Sequence, residues 1–208
     1  DSRNHKGIMN YSDSENSYRY EANKPLTEGQ SLWVPTDRIS TEDCNRIIDS
    51  AKDFRPGTVV LDGKNVESPI RKTKSTFGNE QWVYDLVWPY MLAANLHAHW
   101  HFQVDAAEDY QITKYEEGDF YGVHVDSLGT HDSRRIDPSL PNLHNKSRKM
   151  SMSLLLNDAY DGGDLNLFSI QSIRKETGTM IFFPSFVPHE VTPVIKGTRY
   201  SLVMWFVG

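Results

Sequence analysis

The chain has 208 residues, 38% hydrophobic and 24% charged, with five Trp, nine Phe and ten Tyr. This length and this stock of large apolar side chains exclude a disordered chain and fit one domain, with or without an appended tail. Its 28 acidic against 22 basic residues give a net charge of -6, which excludes a global positive field for nucleic acid or anionic lipid. The single cysteine, Cys44, excludes an internal disulfide and a zinc site built from several thiolates, so a metal here must be held by His and carboxylate.

In chain order, residues 1–30 are polar, without helical or strand periodicity, and read as a loosely ordered arm. They contain no apolar core of the signal-peptide type, and no stretch approaches the roughly 18 apolar residues of a membrane span; a cytoplasmic address without membrane partners is expected. Folded sequence starts at Ser31-Leu-Trp-Val, a short strand ended by Pro35. Ser40 then caps a helix with acidic residues in its first turn and Cys44, Ile47, Ile48 and Ala51 as its apolar stripe. Pro56-Gly57 precedes a strand from Thr58 to Leu61, closed by the Asp62-Gly63 turn. Residues 79–101 carry helical periodicity, with a break or kink expected at Pro89.

From residue 110 the pattern becomes short strands with Gly, Pro and Asp between them: 110–115, 120–126, 150–156, 164–168, 179–183, 189–194 and 198–206. Tyr160-Asp-Gly-Gly-Asp supplies turn chemistry. Helices followed by antiparallel-looking strands predict an α+β layout, with helices on one face of a β-sandwich or small barrel. The long interruption at 127–149 is locally basic, through Arg134, Arg135, Lys146, Arg148 and Lys149; it reads as a solvated loop or as a lid for an acidic or extended substrate.

His124-Val-Asp126 lies in a strand candidate, where i and i+2 side chains share a face. Downstream, Phe182-Phe-Pro-Ser-Phe-Val-Pro-His189 sets a second imidazole just after a Pro-containing turn. Two imidazoles and a carboxylate on one face of a metal form the facial triad that leaves positions open on non-haem Fe(II). In the last strand, Arg199, Ser201, Val203 and Trp205 alternate with Tyr200, Leu202, Met204 and Phe206. Both faces are mostly apolar, so Arg199 aims into the interior and needs an anion. A structural partner such as Glu190 or Asp164 would satisfy it; so would a ligand carboxylate gripped through two parallel hydrogen bonds.

His124-x-Asp126, His189 and Arg199, in this order and spacing, resemble the signature of the 2-oxoglutarate and Fe(II)-dependent dioxygenases, and most nearly the prolyl hydroxylase branch. Tyr115-Glu-Glu-Gly-Asp-Phe-Tyr-Gly-Val-His124-Val-Asp126 resembles that branch's tyrosine, Gly-containing turn and H-x-D. Tyr160-Asp-Gly-Gly-Asp-Leu165 is similar to its Gly-Gly-acidic-Leu turn, and His189-Glu-Val-Thr-Pro-Val-Ile-Lys-Gly-Thr-Arg199-Tyr to its distal block. The resemblance implies a double-stranded β-helix (jelly-roll or cupin-like) core with helices packed on one face, in a single domain over 31–208. His124, Asp126 and His189 would hold Fe(II), Arg199 would bind the distal carboxylate of 2-oxoglutarate, Tyr115 would line the co-substrate pocket, and Trp205 would wall it. Collagen-type relatives have lysine at the position of Arg199, and some relatives have a tyrosine at Leu155 that helps bind the co-substrate; its absence leaves that contact unassigned.

The implied activity is hydroxylation of a prolyl or other residue in a peptide or protein, using O2 and 2-oxoglutarate, with succinate and CO2 as co-products and ascorbate as an auxiliary reductant. Free amino acids and other small molecules stay open as substrates, and a non-catalytic β-helix binding module is the reading from a different class. The rival metal cluster, His97-Ala-His99-Trp-His101, follows helical sequence and reads as histidines at a helix C-terminus, where the dipole favours positive charge.

Overall fold

The computed structural model describes residues 30–61, 64–66, 68–128, 143–167 and 175–208. In chain order they form α1 (Thr41–Ser50), β1 (Arg55–Pro56), β2 (Val59–Leu61), β3 (Lys64–Val66), β4 (Arg71–Lys72), β5 (Lys74–Gly78) and α2 (Gln81–His97). Then come β6 (Ala106–Ala107), β7 (Tyr110–Tyr115), β8 (Phe120–His124), β9 (Arg148–Leu155), β10 (Tyr160–Gly162), β11 (Leu165–Leu167), β12 (Met180–Pro184), β13 (His189–Val191), β14 (Val194–Gly197) and β15 (Arg199–Val207).

Both expected helices form. At α1 the Ser40 hydroxyl accepts from the Asp43 amide at 3.0 Å, Glu42 and Asp43 occupy the positive end of the dipole, and Cys44 and Ile47 are buried. Pro89 sits inside α2, on its exposed side, where the hydrogen bond it deletes can be replaced by water. The expected Ser31–Val34 strand shrinks to a single bridge between Trp33 and Phe182 at the edge of β12, because Pro35 cannot extend the ladder.

The strands build a seven-stranded antiparallel sheet, ordered β1-β5-β7-β15-β9-β12 with β6 added on β15, and a four-stranded sheet, ordered β11-β13-β8-β4. Alternation along the central strands gives the larger sheet two unlike faces. Met150, Met152 and Leu154 of β9 and Leu202, Met204 and Phe206 of β15 pack with Cys44, Ile47, Val83, Val87 and Met91 of the helices into the main core. Ser151 and Ser153 of β9 and Arg199, Ser201, Val203 and Trp205 of β15 turn the other way, toward the smaller sheet. The helices thus cover one face only, as the α+β expectation required.

Several expectations need correction. The stretch 71–78, to which no element was assigned, forms β4 and β5: most of its residues are polar and exposed or half-buried, which removes the hydrophobic signal of a strand. Tyr160 to Gly162 is itself a strand, paired with β14, and the turn lies at its end, where Gly162 and Gly163 both have positive φ. Arg148 and Lys149 belong to β9 rather than to the long loop, and Lys146 and Arg148 pair with Asp105 and Glu108; Arg134, Arg135 and the lid reading fall outside the described residues, as do nearly all of the 1–30 arm and the Asp62-Gly63 turn. Among the described residues, no helix is long and apolar enough to cross a membrane.

Cys44 is fully buried, and burial together with the neighbouring Asp43 pushes its thiol up to about 11. The folded protein is therefore expected to resist thiol-specific reagents at mildly alkaline pH and to react fully only in denaturant, a difference that a colorimetric thiol assay reads directly.

Candidate active site

Between the two sheets lies a cleft of about 950 Å³. Its centre is set by one cross-strand pair. β8 and β13 run antiparallel with His124 opposite His189, and the imidazole centroids are 4.2 Å apart. β8 ends at His124, so Asp126 does not continue the strand as its spacing suggests; instead the chain bends, and the amides of Asp126 and Ser127 both donate to the Ser185 carbonyl, at 2.9 and 3.0 Å. That tether brings the carboxylate back to the two rings. His124 Nε2 lies 3.8 Å from Asp126 Oδ1, and His189 Nε2 lies 3.7 Å from Asp126 Oδ2. One ligand atom from each of the three residues falls within 4.8 Å of the others, and among the described residues this is the one such group.

The protonation states suit a metal. His124 Nδ1 lies 2.8 Å from the Gly122 carbonyl and His189 Nδ1 2.9 Å from the Val187 carbonyl; a carbonyl can only accept, so each Nδ1 carries the proton and each Nε2 presents a lone pair. Burial, reinforced by His189, lowers the His124 pKa to about 4, which keeps that ring neutral near neutral pH. Burial alone would raise the Asp126 pKa, yet His189, Arg148, His124 and the Ser151 hydroxyl together hold it below the usual carboxylate range. Ser151 Oγ donates to Asp126 Oδ2 at 2.7 Å and shares a 2.9 Å contact with Ser185 Oγ, so a buried pair of hydroxyls orients the carboxylate from behind. Tyr121 stacks on His124 with centroids 3.5 Å apart and planes 9° apart.

Arg199 occupies the inner end of the cleft, 2% exposed. The structural partners considered for it are taken: Glu190 accepts from Asn166 and Asp164 pairs with Lys175. Its Nη1 donates to Ser201 Oγ at 2.9 Å, its Nε has no hydrogen-bond partner, and its guanidinium lies 5.0 Å from the Tyr115 ring centroid. No carboxylate comes within 4 Å of it among the described residues. The Arg199 side chain also lines a small chamber of about 30 Å³ with Leu155, Tyr160, Lys175, Thr179 and Ile181. The buried Thr179 hydroxyl is likewise unpartnered. The Arg199 charge and the Thr179 hydroxyl are what an incoming carboxylate would satisfy; Thr179 sits beside Leu155, whose amide donates to the Thr179 carbonyl at 2.9 Å. Tyr115 is 4% exposed and lines the cleft beside Arg199, and its burial raises the phenol pKa despite the nearby arginines.

Trp205 walls the cleft, with the Arg148 guanidinium 3.8 Å above its ring. Arg148 also reaches both oxygens of Glu108, each at 2.8 Å. Sequence reading missed Ser151, Ser185, Thr179, Arg148 and Arg71; the alternating Met-Ser-Met-Ser of 150–153 was the available signal for a polar inner face. The rival histidines form no group of three: α2 ends at His97, which stacks on Trp33, while His99 and His101 follow with positive φ and their ring centroids lie 6.0 Å apart.

Residues 110–207 match the family model described as the 2OG-Fe(II) oxygenase superfamily. A PKHD-type hydroxylase of Acidovorax ebreus is 32% identical over 103 residues, covering 46% of this chain; the chain spans about two fifths of that relative, 41% of its length. Two solved structures share the fold. The viral collagen prolyl hydroxylase of Paramecium Bursaria Chlorella virus-1, in complex with 2OG, superposes with a TM-score of 0.62 at 19% identity, covering 86% of this chain and 97% of the other. A prolyl hydroxylase of Trichoplax adhaerens, in complex with a hypoxia inducible factor oxygen degradation domain peptide fragment, gives 0.61 at 17% identity, covering 89% and 86%. The expected double-stranded β-helix is therefore the fold of this chain.

The two arginines differ in who balances their charge, and stability should report it. Removing Arg199, which no acid among the described residues compensates, is expected to leave Tm unchanged or raise it in Arg199→Met without ligand. Arg148→Met strands the Glu108 carboxylate and is expected to cost roughly 2 kcal/mol, less than for a fully buried pair because Arg148 keeps some solvent contact. Thermal and denaturant unfolding of both variants check this.

Proposed function

Since residues 110–207 match the family model of the 2OG-Fe(II) oxygenase superfamily, we propose that this protein is an Fe(II)- and 2-oxoglutarate-dependent oxygenase that hydroxylates a prolyl or other residue in a peptide or protein. The observation that carries the reading is the pairing of a His-Asp-His group with an uncompensated buried arginine at the end of the same cleft. His124, Asp126 and His189 would hold Fe(II), and Arg199 with Thr179 would receive the distal carboxylate of 2-oxoglutarate. When bound, the iron and its co-substrate supply the oxidising power, coupling decarboxylation of 2-oxoglutarate to succinate and CO2 with insertion of one oxygen atom into a substrate C–H bond.

The chain's own residues supply geometry. The Gly122 and Val187 carbonyls hold both imidazoles in the tautomer that offers Nε2, and Ser151 with Ser185 fixes the rotation of the Asp126 carboxylate. Arg199 anchors one end of the co-substrate by two-point hydrogen bonding. Phe183, Val191 and Leu165 line the cleft around the triad and exclude water from it. A substrate peptide is supported by the Trichoplax neighbour's bound fragment and by a cleft long enough to extend from the triad to Phe77 on β5.

The test is incubation of the purified protein with Fe(II), ascorbate, 2-oxoglutarate and a proline-containing peptide library, with succinate measured and added oxygen located by mass spectrometry. His189→Ala is expected to abolish succinate formation and to weaken Mn(II) binding by 100-fold or more, read from the paramagnetic resonance of free Mn(II). Arg199→Ala should leave Mn(II) binding intact while raising the KM for 2-oxoglutarate roughly 10- to 100-fold, the loss of charge-assisted hydrogen bonds. Full turnover by the His189 variant would remove the site assignment.

A further inference from the structure

Resting on the oxygenase reading above, we propose that Arg71 is a recognition site for a carboxylate carried by the substrate, distinct from the co-substrate carboxylate at Arg199. Arg71 lines the same cleft from β4. Its guanidinium lies 4.6 Å from the Tyr121 ring centroid, and Tyr121 in turn stacks on His124. A group bound at Arg71 is therefore one aromatic layer from the metal-binding histidine.

The seat of this guanidinium is built from neutral groups. Nε donates to Thr73 Oγ1 at 3.1 Å, Nη1 to the Thr58 carbonyl at 2.7 Å and Nη2 to Gln111 Oε1 at 3.0 Å. Thr73 and Gln111 are buried. Gly57 closes the seat: a Cβ there would stand 2.3 Å from Thr73 Oγ1 and 2.7 Å from Arg71 Nε, so the chain can approach the guanidinium this closely only at glycine. Three of five N–H donors are used and two remain, and no carboxylate lies within 4 Å among the described residues. Of the acids lining the cleft, Glu108 is committed to Arg148 and Asp126 to the triad, while Asp53 is exposed to solvent and lies beyond 4 Å of the Arg71 nitrogens. A half-buried cation oriented by three neutral acceptors keeps its full charge for an outside partner, and the planar fork suits a carboxylate best.

The carboxylate could be the α-carboxylate of a free amino acid or chain end, or an Asp or Glu side chain beside the target residue. Two probe pairs separate these sources: N-acetylproline against N-acetylprolinamide, and acetyl-Ala-Pro-Glu-Ala-amide against its Gln twin. Binding of each to the full chain loaded with Mn(II) and 2-oxoglutarate is measured anaerobically by calorimetry, and oxygen transfer is measured separately with Fe(II). At least one carboxylate probe is expected to bind tenfold or more tighter than its amide twin, and Arg71→Gln should erase that ratio while leaving the KM for 2-oxoglutarate and the Mn(II) affinity unchanged. Arg71→Lys, which keeps the charge without the fork, should retain part of it. A ratio near one for both pairs in the wild type, a ratio that survives Arg71→Gln, or a raised 2-oxoglutarate KM in that variant would overturn the proposal. Loss of the carboxylate preference in a protein that never transfers oxygen would uphold the Arg71 site and remove the oxygenase reading; oxygen transfer without any preference would do the reverse.

Discussion

Everything in the cleft depends on the register of β15 between β7 and β9. Because side chains alternate across a sheet, a slip of one residue would send Arg199, Ser201 and Trp205 into the helical core and turn Leu202, Met204 and Phe206 toward the cleft. The penalty for that exchange is a buried guanidinium among Met and Val side chains and three large apolar groups in water. Leu202 opposite Ile112 on one side and Leu154 on the other fixes the register from the core. The functional face is thus positioned by packing that it does not itself take part in.

The electrostatics of the cleft follow from how each arginine is compensated. Arg148 is neutralised internally by two bonds to Glu108 and spends its apolar face on Trp205. Arg199 and Arg71 are held by hydroxyls, a carbonyl and an amide oxygen. The protein fixes their positions without an acid beside either among the described residues, at the cost of desolvating Arg199 fully and Arg71 in part. Such stored cost is the usual mark of a site completed by a ligand.

Much of this was legible in the sequence where chemistry and periodicity coincide. Ser40 with its acidic first turn announced α1, the apolar run through Met91 announced α2, and the order His124, Asp126, His189, Arg199 announced the oxygenase resemblance. Legibility failed for short, polar or edge strands: β4 and β5 expose or half-bury most of their residues, so their pairing with β8 and β7 leaves little alternation to read. Arg71 was invisible for the same reason, since its meaning comes from Thr58, Gln111 and Tyr121, brought together only by tertiary structure. Asp126 was found for a partly wrong reason. Its i+2 spacing suggested a shared strand face, whereas the Ser185 carbonyl makes the bend that delivers it.

The two imidazole tautomers have a consequence for how the centre assembles. Each Nδ1–H is satisfied by a carbonyl only two residues earlier in the same chain segment, so each ring is aimed by local backbone before the segments meet. The lone pairs converge only when β8 docks on β13, a long-range antiparallel contact. An ion captured by both rings would then act as a clasp on the smaller sheet, favouring the paired state by mass action and coupling the order of that sheet to metal supply.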